Sequence, residues 1–298
     1  MRTTDLRGWI PTAVAAVTAA AFVACGGGGD QAGQEGGEGQ QAAQQQGPVV
    51  PPDSQAFVRG AVQFEGTAPE AESIDMSQEQ FCAARYEAPE PRTQHVVVND
   101  GMLQNVFVYV SSGLERSFPT PQEAETLDQQ ACRYRPHVMG VQAGQPLAIM
   151  NSDSVLHNIN ATPSANRGFN VSQPQAGMTT TRKFAVEEVM IPVACDVHGW
   201  MNAYIGVLPH PFYDVSGQDG SVAMDGLPPG EYVIEAWHER YGVMSDTVTL
   251  AAGDTASVSF TYSADMAGAE VPLGDPIYPH DHGEESHAAP ADAEVGNR

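Results

Sequence analysis

Three side chains that can bind a metal ion occur at intervals of three residues in one short segment, namely Cys195, His198 and Met201. Apolar stretches rich in β-branched and aromatic residues flank this segment and predict two strands joined by the loop 195–201. Spacings of three allow so short a loop to turn its side chains toward one point. His157 follows another apolar stretch, so a neighbouring strand end can bring a fourth ligand there.

These four side chains supply one thiolate, two imidazoles and one thioether. In blue copper sites two His and one Cys form a trigonal plane, and a Met is a weak axial ligand. Zinc fits less well, because closed zinc sites use Cys and His rather than a thioether. The alternative is ordinary packing, since free cysteine behaves as a small buried hydrophobe and methionine fills cores. The complete set favours one-electron chemistry over hydrolysis.

Over residues 124–208 the chain resembles the cupredoxins, the blue copper electron carriers. The resemblance is carried by Asn151, the pair His157-Asn158, and the loop residues Cys195, His198 and Met201. It implies that the two His, the Cys and the Met bind one type 1 copper ion. It also implies that Asn158 ties the two ligand segments together through hydrogen bonds. Gly199 departs from the amicyanin-like loops, which usually have Pro at this place.

The resemblance also implies roles within the site. His157 is expected to be the buried ligand, whereas His198 is expected near the surface as the port for electrons. Trp200 is expected to form part of an apolar docking patch, with plain loop packing as the alternative. The negative charge of Asp196 beside the thiolate should disfavour reduction, because Cu(I) carries one positive charge fewer than Cu(II).

A second group of short strands follows the metal loop. Turns at 217–220 and 227–230 separate strand-like stretches, a spacing typical of all-β sandwiches. The residues Asp219-Gly220 and Gly230-Glu231-Tyr232 resemble the carboxypeptidase regulatory-like domains, which are usually binding or spacer modules. The predicted fold class is therefore all-β, with a cupredoxin Greek-key β-sandwich and a second Ig/prealbumin-like β-sandwich.

The two predicted sandwiches are interleaved along the chain. Residues 55–122 have strands like those that open the second family, whose later strands, 209–262, come only after the copper unit, 123–208. We therefore hypothesise that the cupredoxin is inserted into the second sandwich. Pairing of Val58–Val110 with cupredoxin strands alone would contradict this hypothesis.

The N-terminal residues indicate export. Residues 1–24 combine arginines with a small-residue apolar run, as in a signal peptide. The following Cys25 completes a sequence that resembles a bacterial lipobox, which implies lipidation of its thiol; a plain signal peptide is the alternative. Residues 25–54, rich in Gly and Gln, predict a disordered tether. The protein is thus expected to be lipid-anchored, in the periplasm or on the outer face of the cell envelope.

Two further cysteines lie before the copper loop. An oxidising compartment favours a disulfide between Cys82 and Cys132. The alternative is a second metal site formed by Cys132 and His137, whose spacing matches no familiar ligand pattern. The same region predicts a short helix at 76–85 and a strand at 95–98.

The remaining histidines give weak signals. The tail 263–298 is rich in Ala, Pro and acids and is predicted to be disordered. It contains His280, His282 and His287, which can capture copper or zinc weakly, although a solvated acidic tail is the plainer interpretation. His210 and His238 have no ligand partner at a familiar spacing and are predicted to be structural or surface residues.

The charge of the chain limits its partners. Thirteen Lys and Arg against 37 Asp and Glu give a net charge of −24. Such a surface argues against nucleic acid and favours a cationic partner; solubility or adaptation to salt explains the acidity equally well. A cytochrome c and a membrane oxidase or reductase are candidate redox partners.

Three functions are compatible with these features. The first is an electron carrier, the second an envelope copper carrier or reservoir, and the third a structural or adhesive protein without redox chemistry. An enzyme is not expected, because Cys195 lacks the flanking histidines of multicopper oxidases and reductases. A binuclear copper centre would need a second cysteine in the metal loop, and residues 195–201 contain one.

Overall fold

The computed structural model describes residues 54–86 and 90–266, and almost all of its regular structure is β. The predicted all-β class is therefore confirmed. Residues 1–53 and 267–298, with the predicted signal peptide, lipid anchor at Cys25, nearly all of the tether and the three tail histidines, lie outside the described residues. Within the described part there is no helix with the length and apolarity needed to cross a membrane.

Eighteen strands follow one another along the described chain, and they fall into three groups. The first group is β1 Ala56–Glu65, β2 Val98–Asn99, β3 Met102–Leu103 and β4 Phe107–Ser112. The second is β5 Glu125–Gln129, β6 Tyr134–Arg135, β7 Val138–Gln142, β8 Leu147–Asn151, β9 His157–Ala161, β10 Phe169–Gln173, β11 Met178–Arg182, β12 Glu188–Ala194 and β13 Asn202–Leu208. The third is β14 Tyr213–Val215, β15 Ser221–Leu227, β16 Gly230–His238, β17 Gly242–Leu250 and β18 Thr255–Ser263.

The second group forms two sheets that share one apolar core. Their strand orders are β10-β9-β12-β13-β7 and β11-β8-β5-β6. Alternation along the strands creates the core, as in β8, where Leu147 and Ile149 are fully buried and their neighbours are less so. One end of this sandwich thereby brings together an end of each of the strands β8, β9, β12 and β13, around the segments that hold the candidate ligands.

The first and third groups pair with each other. Strand β1 pairs with β15 and β18, and β4 pairs with β14 and β16. Among the described strands, those within Val58–Val110 therefore do not pair with strands of the second group alone, the pattern that would contradict the insertion hypothesis. The division of the chain into domains stays a prediction.

Aromatic side chains pack between the two groups of sheets. Gly140 on β7 and Gly206 on β13 are register partners, and they face the rings of Tyr213 and Phe107. A Cβ atom at either glycine would collide with these rings, so the absence of a side chain is what permits the close approach. Trp237 on β16 extends the contact, with its ring centroid 5.1 Å from that of Tyr204.

Two predicted elements are shorter than expected. The helix predicted at 76–85 is limited to the single turn α1, Gln80–Ala83, in which Glu79 accepts a hydrogen bond from Phe81 N at 3.1 Å. The strand predicted at 95–98 is reduced to β2. His95 lies before this strand and bonds through its ring to Glu239 Oε2 at 2.8 Å.

Candidate metal centre

The loop 195–201 is a closed hairpin connection. Strand β12 ends directly before Cys195, and β13 begins directly after Met201. The backbone N–H of Cys195 donates to the carbonyl oxygen of Met201 at 3.1 Å, and Met201 N donates to His198 O at 2.8 Å. These two hydrogen bonds close the neck of the loop and hold its side chains against the end of the sandwich.

The structure brings His157 to this loop. It is the first residue of β9, which pairs with β12 through Asn160 and Ala194. His157 Nδ1 lies 3.0 Å from His198 Nδ1, and His198 Nδ1 lies 3.7 Å from Cys195 Sγ. One ligand atom from each of the three residues lies within 4.8 Å of the others, so the group can hold a metal ion.

All four predicted ligands are buried. His157 is 0% exposed, Met201 1%, and Cys195 and His198 2% each. Met201 and Cys195 belong to the apolar core shared by the two sheets. The donors nearest to one another are thus two imidazoles and a sulfur at a buried position, a set that suits a copper ion that changes oxidation state.

Hydrogen bonds within the centre favour the thiolate. Burial raises the pKa of Cys195, but contacts with His157 and His198 overcome this effect and lower the pKa to about 6. Burial lowers the pKa of His157, yet Asp153 and Cys195 raise it to about 9. Since a thiolate is the metal-binding form of cysteine, the surroundings prepare Cys195 for coordination.

Asn158 ties the two ligand segments together. Its side-chain oxygen lies 3.3 Å from Cys195 Sγ and accepts a hydrogen bond from Asp196 N at 2.8 Å. Its amide nitrogen donates to Asn170 and Asp196. Asn158 therefore fixes the thiol with respect to strand β9, where His157 begins.

Asp196 lies in a cluster of three asparagine side chains. Its carboxylate accepts from Asn158, Asn160 and Asn170 at 2.8, 3.1 and 2.7 Å. Burial alone would raise the pKa of Asp196, but these amide donors lower it, so the carboxylate is charged at neutral pH.

Asp196→Asn should raise the reduction potential of a copper ion held by Cys195. The substitution removes a negative charge from the residue next to the thiolate, and the charge favours Cu(II) over Cu(I). Because Asp196 is partly solvated, we expect a shift on the order of tens of millivolts. Spectroelectrochemical titration measures the shift, and an unchanged potential would contradict this role.

The prediction that His198 lies near the surface is wrong. A disulfide joins Cys82 to Cys132, and Cys82 Sγ lies 3.8 Å from His198 Nε2. The half-buried Trp200 covers another side, with its ring centroid 5.1 Å from that of His198 and its Nε1 donating to Cys132 O at 3.1 Å. The segment that carries α1 and the ring of Trp200 thus form a cover over the histidine, and the docking role of Trp200 stays a prediction.

Sequence reasoning missed Asp153. This buried carboxylate lies in the segment between β8 and β9, and its Oδ2 is 3.0 Å from His157 Nε2. In the sequence, the one feature that could have indicated a role for Asp153 is its position four residues before His157. An acid at that spacing can reach the ring only if the connecting segment curls back, and the sequence does not show this.

Three other histidines take structural positions. His137 bonds to Glu239 Oε1 at 2.6 Å and to Asn202 O at 3.2 Å, and Cys132 is in the disulfide, so the proposed site at Cys132 and His137 is not formed. His210 bonds to Val110 O, and His238 accepts from Arg240 N. Cys132 also lies with Asp153 and His157 in a second possible metal group, but its disulfide sulfur is not a thiolate ligand.

No family model matches the chain, and no curated protein matches it. Among solved structures, it is similar to a purple cupredoxin from Nitrosopumilus maritimus, with 22% identity, 28% of this chain and 97% of that chain covered, and a TM-score of 0.24. A Cu-containing nitrite reductase from Thermus scotoductus shows 18% identity, with 35% and 26% covered, and a TM-score of 0.28. A Cu(I) amicyanin variant shows 14% identity, with 34% and 97% covered, and a TM-score of 0.26. These likenesses are too distant to support conclusions about the site.

Proposed function

We propose that the protein binds one copper ion through His157, Cys195, His198 and Met201 and carries single electrons between redox partners. The observation that supports this most directly is the convergence of His157 Nδ1, His198 Nδ1 and Cys195 Sγ at one buried point. Bound copper supplies a one-electron Cu(I)/Cu(II) couple. The chain supplies a set of ligands fixed by two strand ends and a closed loop. This limits the movement of the ligands when copper changes between its two oxidation states.

The buried ligands favour an electron carrier over a copper carrier. A protein that hands over its metal needs an open coordination position or an accessible ligand. Here the four side chains are almost fully buried, and the segment with the Cys82–Cys132 disulfide covers His198. An electron crosses such a cover without any movement of the ligands, whereas a copper ion does not.

The partners and location belong to the same proposal. A net charge of −24 favours a cationic redox protein, such as a cytochrome c, or a cationic site on a membrane oxidase or reductase. The lipobox-like sequence at Cys25 supports anchoring to a membrane of the cell envelope. We propose a carrier rather than an enzyme, since Met201 would complete a four-ligand set with His157, Cys195 and His198, and Cys195 lacks the flanking histidines of multicopper enzymes.

Metal extraction distinguishes the two carriers. We expect a Cu(I) chelator in excess to remove copper from the reduced protein far more slowly than small redox mediators exchange electrons with it. Parallel stopped-flow experiments measure both rates, with free Cu(I) in buffer as the control for the chelator. Removal of copper within the mixing time would favour a copper carrier or reservoir.

A further inference from the structure

The Asp153 carboxylate is held at a fixed position behind His157. One oxygen accepts from Ala131 N at 2.9 Å, and the other accepts from Cys132 N at 2.7 Å and faces His157 Nε2 at 3.0 Å. The backbone N–H of Asp153 itself donates to Asn151 Oδ1 at 2.9 Å. Both oxygens therefore have partners, although the side chain is buried.

The loop that receives this carboxylate has an unusual backbone. Ala131 and Cys132 have φ angles of 54° and 53°, in the left-handed region that residues with a Cβ seldom adopt. Their two successive N–H groups point to one anion, an arrangement that makes a backbone anion site. The disulfide from Cys132 to Cys82 restrains the same loop. The loop at Ala131 and Cys132 thus sets the position of Asp153, independently of His157.

Charge and hydrogen bonding at Asp153 determine which ring nitrogen of His157 is free. An ionised carboxylate only accepts hydrogen bonds, so the facing Nε2 of His157 carries hydrogen. The backbone N–H groups of Ala131 and Cys132 donate to the two oxygens, so Asp153 is surrounded by donors and acts as an acceptor on both oxygens. The lone pair of a neutral His157 is then on Nδ1, the atom that faces His198 Nδ1.

We propose that Asp153 is a positioning residue that holds His157 in the tautomer with a free Nδ1 and lowers the reduction potential of the copper centre. A carboxylate behind a metal-bound imidazole makes the ring a stronger donor. Its negative charge also stabilises Cu(II) more than Cu(I). The inference rests on the proposed function, because it requires copper to bind at Nδ1 of His157.

Asp153→Asn in the full chain tests this inference, with Asp246→Asn as the matched control. Asp246 lies exposed on β17, and its side chain accepts a hydrogen bond from Thr247 N. Its substitution makes the same change in net charge at a position 45 residues after Met201, the last of the candidate ligands in sequence. We expect Asp153→Asn to lower the ratio of Cu(II) to Cu(I) binding constants by about tenfold. This corresponds to a rise of about 59 mV in potential. Asp246→Asn should leave the ratio within measurement error of wild type.

The metal-free proteins give a second readout. In the neutral ring of His157, ¹⁵N chemical shifts should show hydrogen on Nε2 in the wild type, because this atom faces the Asp153 carboxylate. In Asp153→Asn, whose amide can donate as well as accept, both tautomers should appear. If Asp153→Asn fails to fold, Asp153→Glu retains the charge, and we expect a potential closer to wild type than that of Asp153→Ala.

The outcomes separate the inference from the proposed function. A blue wild type whose potential and tautomer are unchanged by Asp153→Asn overturns the inference and leaves the copper centre standing. A wild type without a visible thiolate-to-copper band contradicts the proposed function and the inference together.

Discussion

Cys195→Ser is expected to abolish the visible thiolate-to-copper absorption band completely. The band requires a sulfur bonded to Cu(II), and Cys195 is the free cysteine among the described residues, since Cys82 and Cys132 are joined to each other. A serine hydroxyl does not ionise at neutral pH and is a hard donor that Cu(I) binds poorly. Copper titrations monitored by absorbance measure the loss.

A second substitution in the same loop is the control for this result. Val197 lies two residues after Cys195 and is 49% exposed, so Val197→Ser changes the loop without removing a ligand. We expect Val197→Ser to retain the band. If the band persists in Cys195→Ser, the sulfur of Cys195 is not the ligand and the assignment of the site is wrong.

Removal of the Cys82–Cys132 disulfide should have the largest effect on stability. The bond closes a loop with a sequence separation of 50 residues, and both cysteines are fully buried. Loop-closure entropy predicts that Cys82→Ala with Cys132→Ala lowers the free energy of unfolding by about 4 kcal/mol. Urea denaturation of the metal-free variant and wild type measures the difference. A loss below about 1 kcal/mol would show that the cover is held by its other contacts.

The same double variant should open the metal centre. Without the sulfur that lies 3.8 Å from His198 Nε2, the segment around α1 loses its covalent attachment above the ring and keeps weaker contacts such as that of Tyr86 with Ala131 O. If opening the cover of the wild type requires at least about 1.4 kcal/mol, we expect a Cu(I) chelator to extract copper from the double variant at least about tenfold faster. Tyr86→Phe, which removes one hydrogen bond from the same segment to Ala131 O, is the milder control. Equal extraction rates in all three proteins would contradict a protective role for the cover.

The strands and the ligand loop are predictable because both rest on local patterns. Alternating burial along β8 reflects a two-residue period that a sequence shows directly. The apolar run before Cys195 is also visible in the sequence and predicts β12. The spacing of Cys195, His198 and Met201 has the same local character. Strand ends that share a sheet then bring His157 to the loop.

The cover and the carboxylate behind His157 have no such local signal. The pairing of Cys82 with Cys132 was expected from the compartment, but the position of Cys82 above His198 depends on how a segment 116 residues away from this histidine in sequence crosses the sandwich. For this reason the expected surface exposure of His198 was wrong. Asp153 is recognisable only once Ala131 and Cys132 are known to present their N–H groups to it.

The most direct test of the copper centre is an absorption spectrum of the purified protein after addition of one equivalent of Cu(II), recorded before and after ascorbate. We expect an intense visible band that bleaches on reduction and returns on reoxidation, because Cys195, His157 and His198 converge at one buried point. A protein that remains colourless after Cu(II) is added would contradict the blue copper centre, whether or not it binds Cu(I).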